Sequence, residues 1–214
     1  MILEIDNIEL NYDTKKILSA VYFKAENGKI TGILGRNGCG KTSLLRILFG
    51  NLSPKYKNIR IDGKHQKNSL FKSAQIAFLP QHQLVPNNLS LQKICKISSV
   101  SWDDFILEFP SFKKYKKSKT KELSSGEIRV FETYLILASG KKIILLDEPF
   151  SFIAPLFVEK FKKIIDLKKE NCIIILTDHF YREILDLSDT VYFLKNGYSK
   201  KITSKEELES EGYI

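Results

Sequence analysis

The stretch that most constrains this chain is Gly35-Arg36-Asn37-Gly38-Cys39-Gly40-Lys41-Thr42, which fits the pattern G-x-x-x-x-G-K-[ST]. Ahead of it, residues 30–34 (ITGIL) have the character of a buried strand. Behind it, residues 43–49 carry apolar positions at helical spacing and stop at Gly50. Strand, glycine-rich loop and helix in that order curl successive backbone N–H groups around phosphate oxygens at the positive end of a helix. In such a loop Gly35, Asn37, Gly38, Cys39, Gly40 and Ser43 build the cradle. Lys41 reaches the outer phosphates, and the Thr42 hydroxyl is placed to ligate Mg²⁺. Cys39 reads as a small residue filling its slot rather than as a reactive thiol, although a helix N-terminus favours thiolate.

The rest of the chain supplies a fold for this loop. Leu3, Ile5, Ile8 and Leu10, then Val21 and Phe23, alternate as half-buried antiparallel strands do, and Gly28 marks a turn. Further strands are expected at residues 59–61, 76–79, 143–146, 173–177 and 191–194. Several are continuous apolar runs of the kind found in parallel sheets covered on both faces. The expected fold class is α/β: a P-loop core with a mostly parallel sheet, an N-terminal antiparallel β lobe and a short α-helical subdomain at about 83–123. Residues 1–214 are read as one domain. Trp102, Phe105, Ile106 and Phe109 fall at i, i+3, i+4 and i+7 and are expected in the core. Ser204 with Glu207 has the spacing of a capping box.

A second polar feature answers the P-loop. The run IILLDEPFSFIAP, residues 143–155, ends an apolar strand in two adjacent acids. A P-loop enzyme needs an acid at the end of a neighbouring buried strand to hold the Mg²⁺ shell, and Asp147 has that position. Glu148 points differently and is the candidate to orient or deprotonate a water attacking the γ-phosphate.

These residues, together with Leu123-Ser124-Ser125-Gly126-Glu127, Gln81 after IAFLP and His179 after IIILTD, make the chain resemble the nucleotide-binding subunit of an ABC transporter nearly end to end. The five-residue segment is similar to the family signature LSGGQ or LSGGE. The resemblance implies ATP and Mg²⁺ as cofactors and ATP hydrolysis coupled to transport. It implies Tyr12 stacked on adenine, Gln81 near Mg²⁺ and water, and His179 bridging γ-phosphate and Glu148. It also implies that cassettes pair head to tail as a homo- or heterodimer, with Ser124 and Gly126 closing over the partner's ATP. The expected partner is a separate transmembrane permease, with the chain peripheral at the cytoplasmic face and membrane contact indirect.

Composition bounds these expectations. The start MILEIDNIEL lacks the pattern of a signal peptide, and no apolar run approaches the roughly 20 residues of a membrane span. Three cysteines, Cys39, Cys95 and Cys172, have no metal-ligand spacing and suit a reducing compartment. The formal charge of +9 keeps open a runner-up, a non-transport ABC ATPase acting on nucleic acid, ribosome or cofactor assembly. A P-loop kinase is a further rival, opposed by LSSGE and His179. The lysine-rich run 113–121, KKYKKSKTK, reads first as a solvated face.

Two departures from the family pattern stand out. Ser125 replaces the first signature glycine. Ala154 stands before Pro155 where the family places an Asp, removing a good N-cap and putting communication between ATP sites in doubt. Phe152 and Ile153 are then candidates for an apolar dimer contact.

Overall fold

The computed structural model describes residues 1–214. Along the chain, β1 (Ile2–Tyr12), β2 (Lys15–Glu26) and β3 (Ile30–Leu34) lead into α1 (Lys41–Phe49). Then follow β4 (Tyr56–Ile61), β5 (Lys64–His65), β6 (Ile76–Leu79), α2 (Leu91–Ile97), α3 (Trp102–Glu108) and α4 (Ser125–Leu137). The chain continues with β7 (Ile143–Asp147), α5 (Pro155–Lys169), β8 (Ile173–Thr177) and α6 (Tyr181–Leu187). It ends with β9 (Thr190–Lys195), β10 (Tyr198–Ile202) and α7 (Lys205–Ser210).

The strands form two sheets. One is antiparallel, in the order β2-β1-β4-β5; the other has the order β10-β9-β3-β8-β7-β6 and is parallel except for β10. Strand side chains alternate between faces, so a strand buried on both sides must be apolar throughout. In β7, Ile143 and Leu145 enter the core shared with α1 and the antiparallel sheet, whereas Ile144 and Leu146 enter the core shared with the other helices. In β8, Ile173 and Ile175 divide from Ile174 and Leu176 in the same way. The result is an antiparallel lobe and α1 on one face of the larger sheet, with helices on the other.

The chain between β6 and β7 carries α2, α3 and α4 with 3-10 turns at Pro110–Tyr115 and Thr120–Glu122. Its aromatic stripe is core: Phe105 and Phe112 have ring centroids 5.2 Å apart, Phe105 lies 5.3 Å from Phe131 on α4, and Phe109 lies 5.2 Å from Phe161 on α5. Such edge and tilted contacts fix the segment against the sheet-covering helices. Lys113, Lys114, Lys117, Lys119 and Lys121 are exposed.

One local expectation changes, and two features emerge only from the structure. The helix at the C-terminus is not capped by Ser204; Glu207 instead accepts from the Thr203 hydroxyl at 2.7 Å. Ser204 still holds the N-cap position, and the Glu207 carboxylate also accepts from Thr203 N at 3.3 Å. Tyr12 ends β1 at the tip of the β1–β2 hairpin, paired with Lys15. β10 was missed because YSKKI shows no clean alternation; it is an edge strand with Lys200 and Lys201 facing solvent. No helix is long and apolar enough to cross a membrane.

Candidate nucleotide site

Parallel pairing brings the polar residues together. β7 lies between β6 and β8 with Leu146 opposite Leu79 and Asp147 opposite Thr177, so the chain leaves all three strands at the same edge. β3 enters its loop at that edge too, which is where ligands collect in open parallel sheets. A cleft of about 590 Å³ opens there. Asn37, Gly38, Gly40, Lys41, Thr42 and Ser43 line one side, with Tyr12 and Ile17 from the antiparallel lobe; Gln81, Glu148 and His179 face them.

Gly40 initiates α1 with φ of 107°, a left-handed conformation open to glycine, and a Cβ there would approach Leu18 Cδ2 to 2.8 Å. Lys41 is only 6% exposed; its ammonium donates to Gly35 O at 2.6 Å and reaches Arg36 O at 3.4 Å. Gly35 and Cys39 form the base of the loop rather than its open wall, and the half-buried Cys39 thiol is pushed up by burial, in keeping with a packing residue. The Tyr12 hydroxyl lies 3.4 Å from Ser43 Oγ, so this 45%-exposed ring overhangs the start of α1.

Asp147 ends β7 at 1% exposure. Its Oδ1 accepts from the Thr177 hydroxyl at 2.8 Å, while Oδ2 is buried without a hydrogen-bond partner. Burial pushes the Asp147 carboxyl above the ordinary carboxylate range, against the Thr177 hydrogen bond and the nearby Thr42 hydroxyl, with Glu148 adding to the rise. An orphaned carboxylate oxygen beside Thr42 suits a hard cation that takes few protein oxygens and shares its shell with phosphate and water. The chain has no group of three or more His, Cys, Asp or Glu residues that would cage a metal alone.

Glu148 sits one residue beyond, at φ of 52°, left-handed and uncommon for a non-glycine residue. That turn sends its side chain into the cleft. Its Oε2 accepts from Gln81 Nε2 at 3.0 Å and from the Ser151 hydroxyl at 3.3 Å, and lies 3.7 Å from His179 Nδ1. The main chain after β8 is shaped by Asp178, fully buried, which accepts from Phe150 N and Phe180 N; burial raises its pKa against these bonds. His179 is held beside Phe180, ring centroids 4.0 Å apart.

Ser124 and Gly126 stand apart from this cleft, at the N-terminus of α4. Ser124 is the N-cap of a full capping box with Glu127, whose carboxylate also accepts from the Tyr115 hydroxyl at 2.7 Å. Gly126 is a close-approach position: a Cβ there would lie 2.4 Å from Phe152 O. The segment after Glu148 therefore rests against the signature. Ala154 is the uncapped N-cap of α5, with Pro155 at the first turn. Phe152 and Ile153 divide: Phe152 is 81% exposed, whereas Ile153 is partly buried against the chain's own core.

One group escaped the sequence reading. Arg129 of α4 is buried and donates to Pro80 O at 2.7 Å, to Asp147 O, and to Glu148 O at 2.9 Å. A charged residue inside the apolar run of α4 was its only trace in the sequence.

A glycine-rich phosphate cradle facing buried and half-buried carboxylates across one sheet edge defines a P-loop nucleotide-binding ATPase. Residues 18–151 match the family model for ABC transporters, and the chain belongs to that family. It is 30% identical over 211 residues to the lipopolysaccharide export system ATP-binding protein LptB of Haemophilus influenzae, covering 92% of this chain and 88% of that protein. It is 27% identical over 208 residues to the high-affinity branched-chain amino acid transport ATP-binding protein BraG of Pseudomonas aeruginosa, covering 91% and 89%. An ABC transporter ATP-binding protein structure from Pyrococcus furiosus superposes with a TM-score of 0.77 at 27% identity, covering 91% of this chain and 98% of that one. An ATP-binding subunit of an ABC transporter gives 0.82 at 20% identity over 100% and 94%, a likeness of fold alone.

Proposed function

We propose that this chain is the ATP-hydrolysing subunit of an ABC transporter that dimerises around two Mg-ATP and drives a separately encoded permease. The observation that carries the reading is the convergence of Gln81, Glu148 and His179 on a cleft whose opposite wall is the P-loop. In this reading residues 1–214 form one cassette with its helical subdomain at about 83–123.

Each residue then has a task. Lys41 and the P-loop amides bind the phosphates, and Tyr12 covers the adenine. Thr42, Asp147 and Gln81 would hold Mg²⁺, which when bound neutralises charge on the β- and γ-phosphates. Glu148 orients the attacking water and accepts its proton. His179, within reach of Glu148, hydrogen-bonds the γ-phosphate and so senses its presence. Ser124 and Gly126 lie outside their own chain's cleft, which supports their use on the ATP of a second cassette. The exposed Phe152 beside them belongs to the same face.

Affinity purification in mild detergent with Mg-ATP tests the permease assignment. Recovery of a membrane protein with several spans is the expected result. Recovery of nucleic acid instead, released by salt, would replace it with the non-transport reading that the charge of +9 keeps open.

A further inference from the structure

We propose that the buried pair Arg129–Glu132 is a positioning device for hydrolysis, fixing the main chain that carries Glu148 to the loop that carries Gln81. The inference rests on the reading of Glu148 as the residue that activates water.

Arg129 and Glu132 lie three residues apart on α4, at 6% and 1% exposure, with Arg129 Nη1 and Glu132 Oε2 separated by 4.0 Å. The guanidinium reaches in two directions: Nη1 donates to Pro80 O, immediately before Gln81, and Nη2 donates to the consecutive carbonyls of Asp147 and Glu148. Glu132 takes hold of the same loop further on, its Oε1 accepting from Leu84 N at 2.6 Å and Val85 N at 2.9 Å. One helix thus grips the chain on both sides of Gln81 and the chain that bears the catalytic acid.

Stability is a weak reason for such a pair. Desolvating two charges costs several kcal/mol each as an order of magnitude, and well-packed apolar residues often serve as well. Arg129 Nε has no partner, so the guanidinium is not even fully satisfied. Burial opposes the charge on both members, lowering the Arg129 pKa and raising that of Glu132. What the pair does provide is control of main-chain geometry where it is least relaxed. Glu148 holds a left-handed φ of 52°, and such a residue persists only where its surroundings over-determine it. Its N–H is tied to Thr177 O at 2.8 Å and its carbonyl to Arg129, which fixes the peptide on each side of its Cα. With that backbone fixed, the carboxylate meets Gln81; with it free, the residue relaxes toward ordinary φ and the side chain swings away.

The test compares wild type, Arg129→Gln, Arg129→Lys, Glu132→Gln and Glu148→Gln in steady-state ATPase assays, fluorescent-ATP binding and circular dichroism. Arg129→Gln is expected to lower kcat about thirtyfold, as misplacement of a reacting group does, while the nucleotide Kd changes by less than about twofold and the spectrum stays native. Arg129→Lys, able to reach one of the carbonyls, is expected to recover part of kcat. Glu132→Gln keeps an acceptor for Leu84 and Val85 but loses the charge facing Arg129; it carries the test if Arg129→Gln fails to fold, with a selective loss of kcat again expected. Folded variants with wild-type kcat overturn the proposal, as do variants in which kcat and binding fall together. An active Glu148→Gln would instead overturn the reading of Glu148; an inactive Glu148→Gln beside fully active Arg129 and Glu132 variants would overturn the brace alone.

Discussion

Gln81 Nε2 donates to Glu148 Oε2 across 3.0 Å, linking the loop after β6 to the loop after β7 over the mouth of the nucleotide cleft. The bond sets the direction of the carboxylate within the cleft. Gln81→Ala removes one hydrogen bond to a charged group, so kcat should fall about tenfold in an ATPase assay, with nucleotide binding little changed.

Tyr12 overhangs the start of α1 from the tip of the β1–β2 hairpin, and its hydroxyl makes only a 3.4 Å approach to Ser43. On the proposed reading the ring, not the hydroxyl, meets the base. Tyr12→Phe should therefore leave ATP affinity near wild type, whereas Tyr12→Ala should weaken it about tenfold by loss of base stacking, measured by titration calorimetry.

At Ala154 the backbone already has the extended geometry of an N-cap, but no side chain accepts a hydrogen bond at the start of α5. Ala154→Asp should stabilise the chain by about 1 kcal/mol and raise the melting temperature by about 2–4 °C for a domain of this size. Differential scanning calorimetry reads the change directly.

Much of this was legible in the sequence, and the reason is physical. The P-loop, Asp147, Glu148, Gln81 and His179 each lie at the end of an apolar strand or within two residues of it, so the strand both announces itself and fixes where its polar end must lie. Arg129 was not legible, because its partners are the carbonyls of Pro80, Asp147 and Glu148, and main-chain atoms leave no sequence pattern. Ile153 beside Phe152 read as a matched apolar pair until the left-handed turn at Phe152, φ 66°, sent the two side chains to different environments.

The capping box gives a pH prediction with a definite sign. Burial works against the Glu127 carboxylate, yet bonds from the Tyr115 hydroxyl and Ser124 hold its pKa below the ordinary value of 4.5. A folded-state pKa below the unfolded one contributes stability that is fully present above about 4.5 and is lost as pH falls through the folded value. Glu127→Gln should be less stable than wild type at neutral pH, and the gap should close below pH 4.5 as the wild-type carboxyl protonates. Urea denaturation across that range measures it.

The role of Glu148 is the central claim, and one comparison addresses it: ATP turnover and ATP binding by Glu148→Gln beside wild type. The amide keeps the shape of the side chain but cannot accept a proton, so turnover should fall about a hundredfold or more while ATP still binds. Turnover near the wild-type rate in a folded, ATP-binding variant would contradict the account.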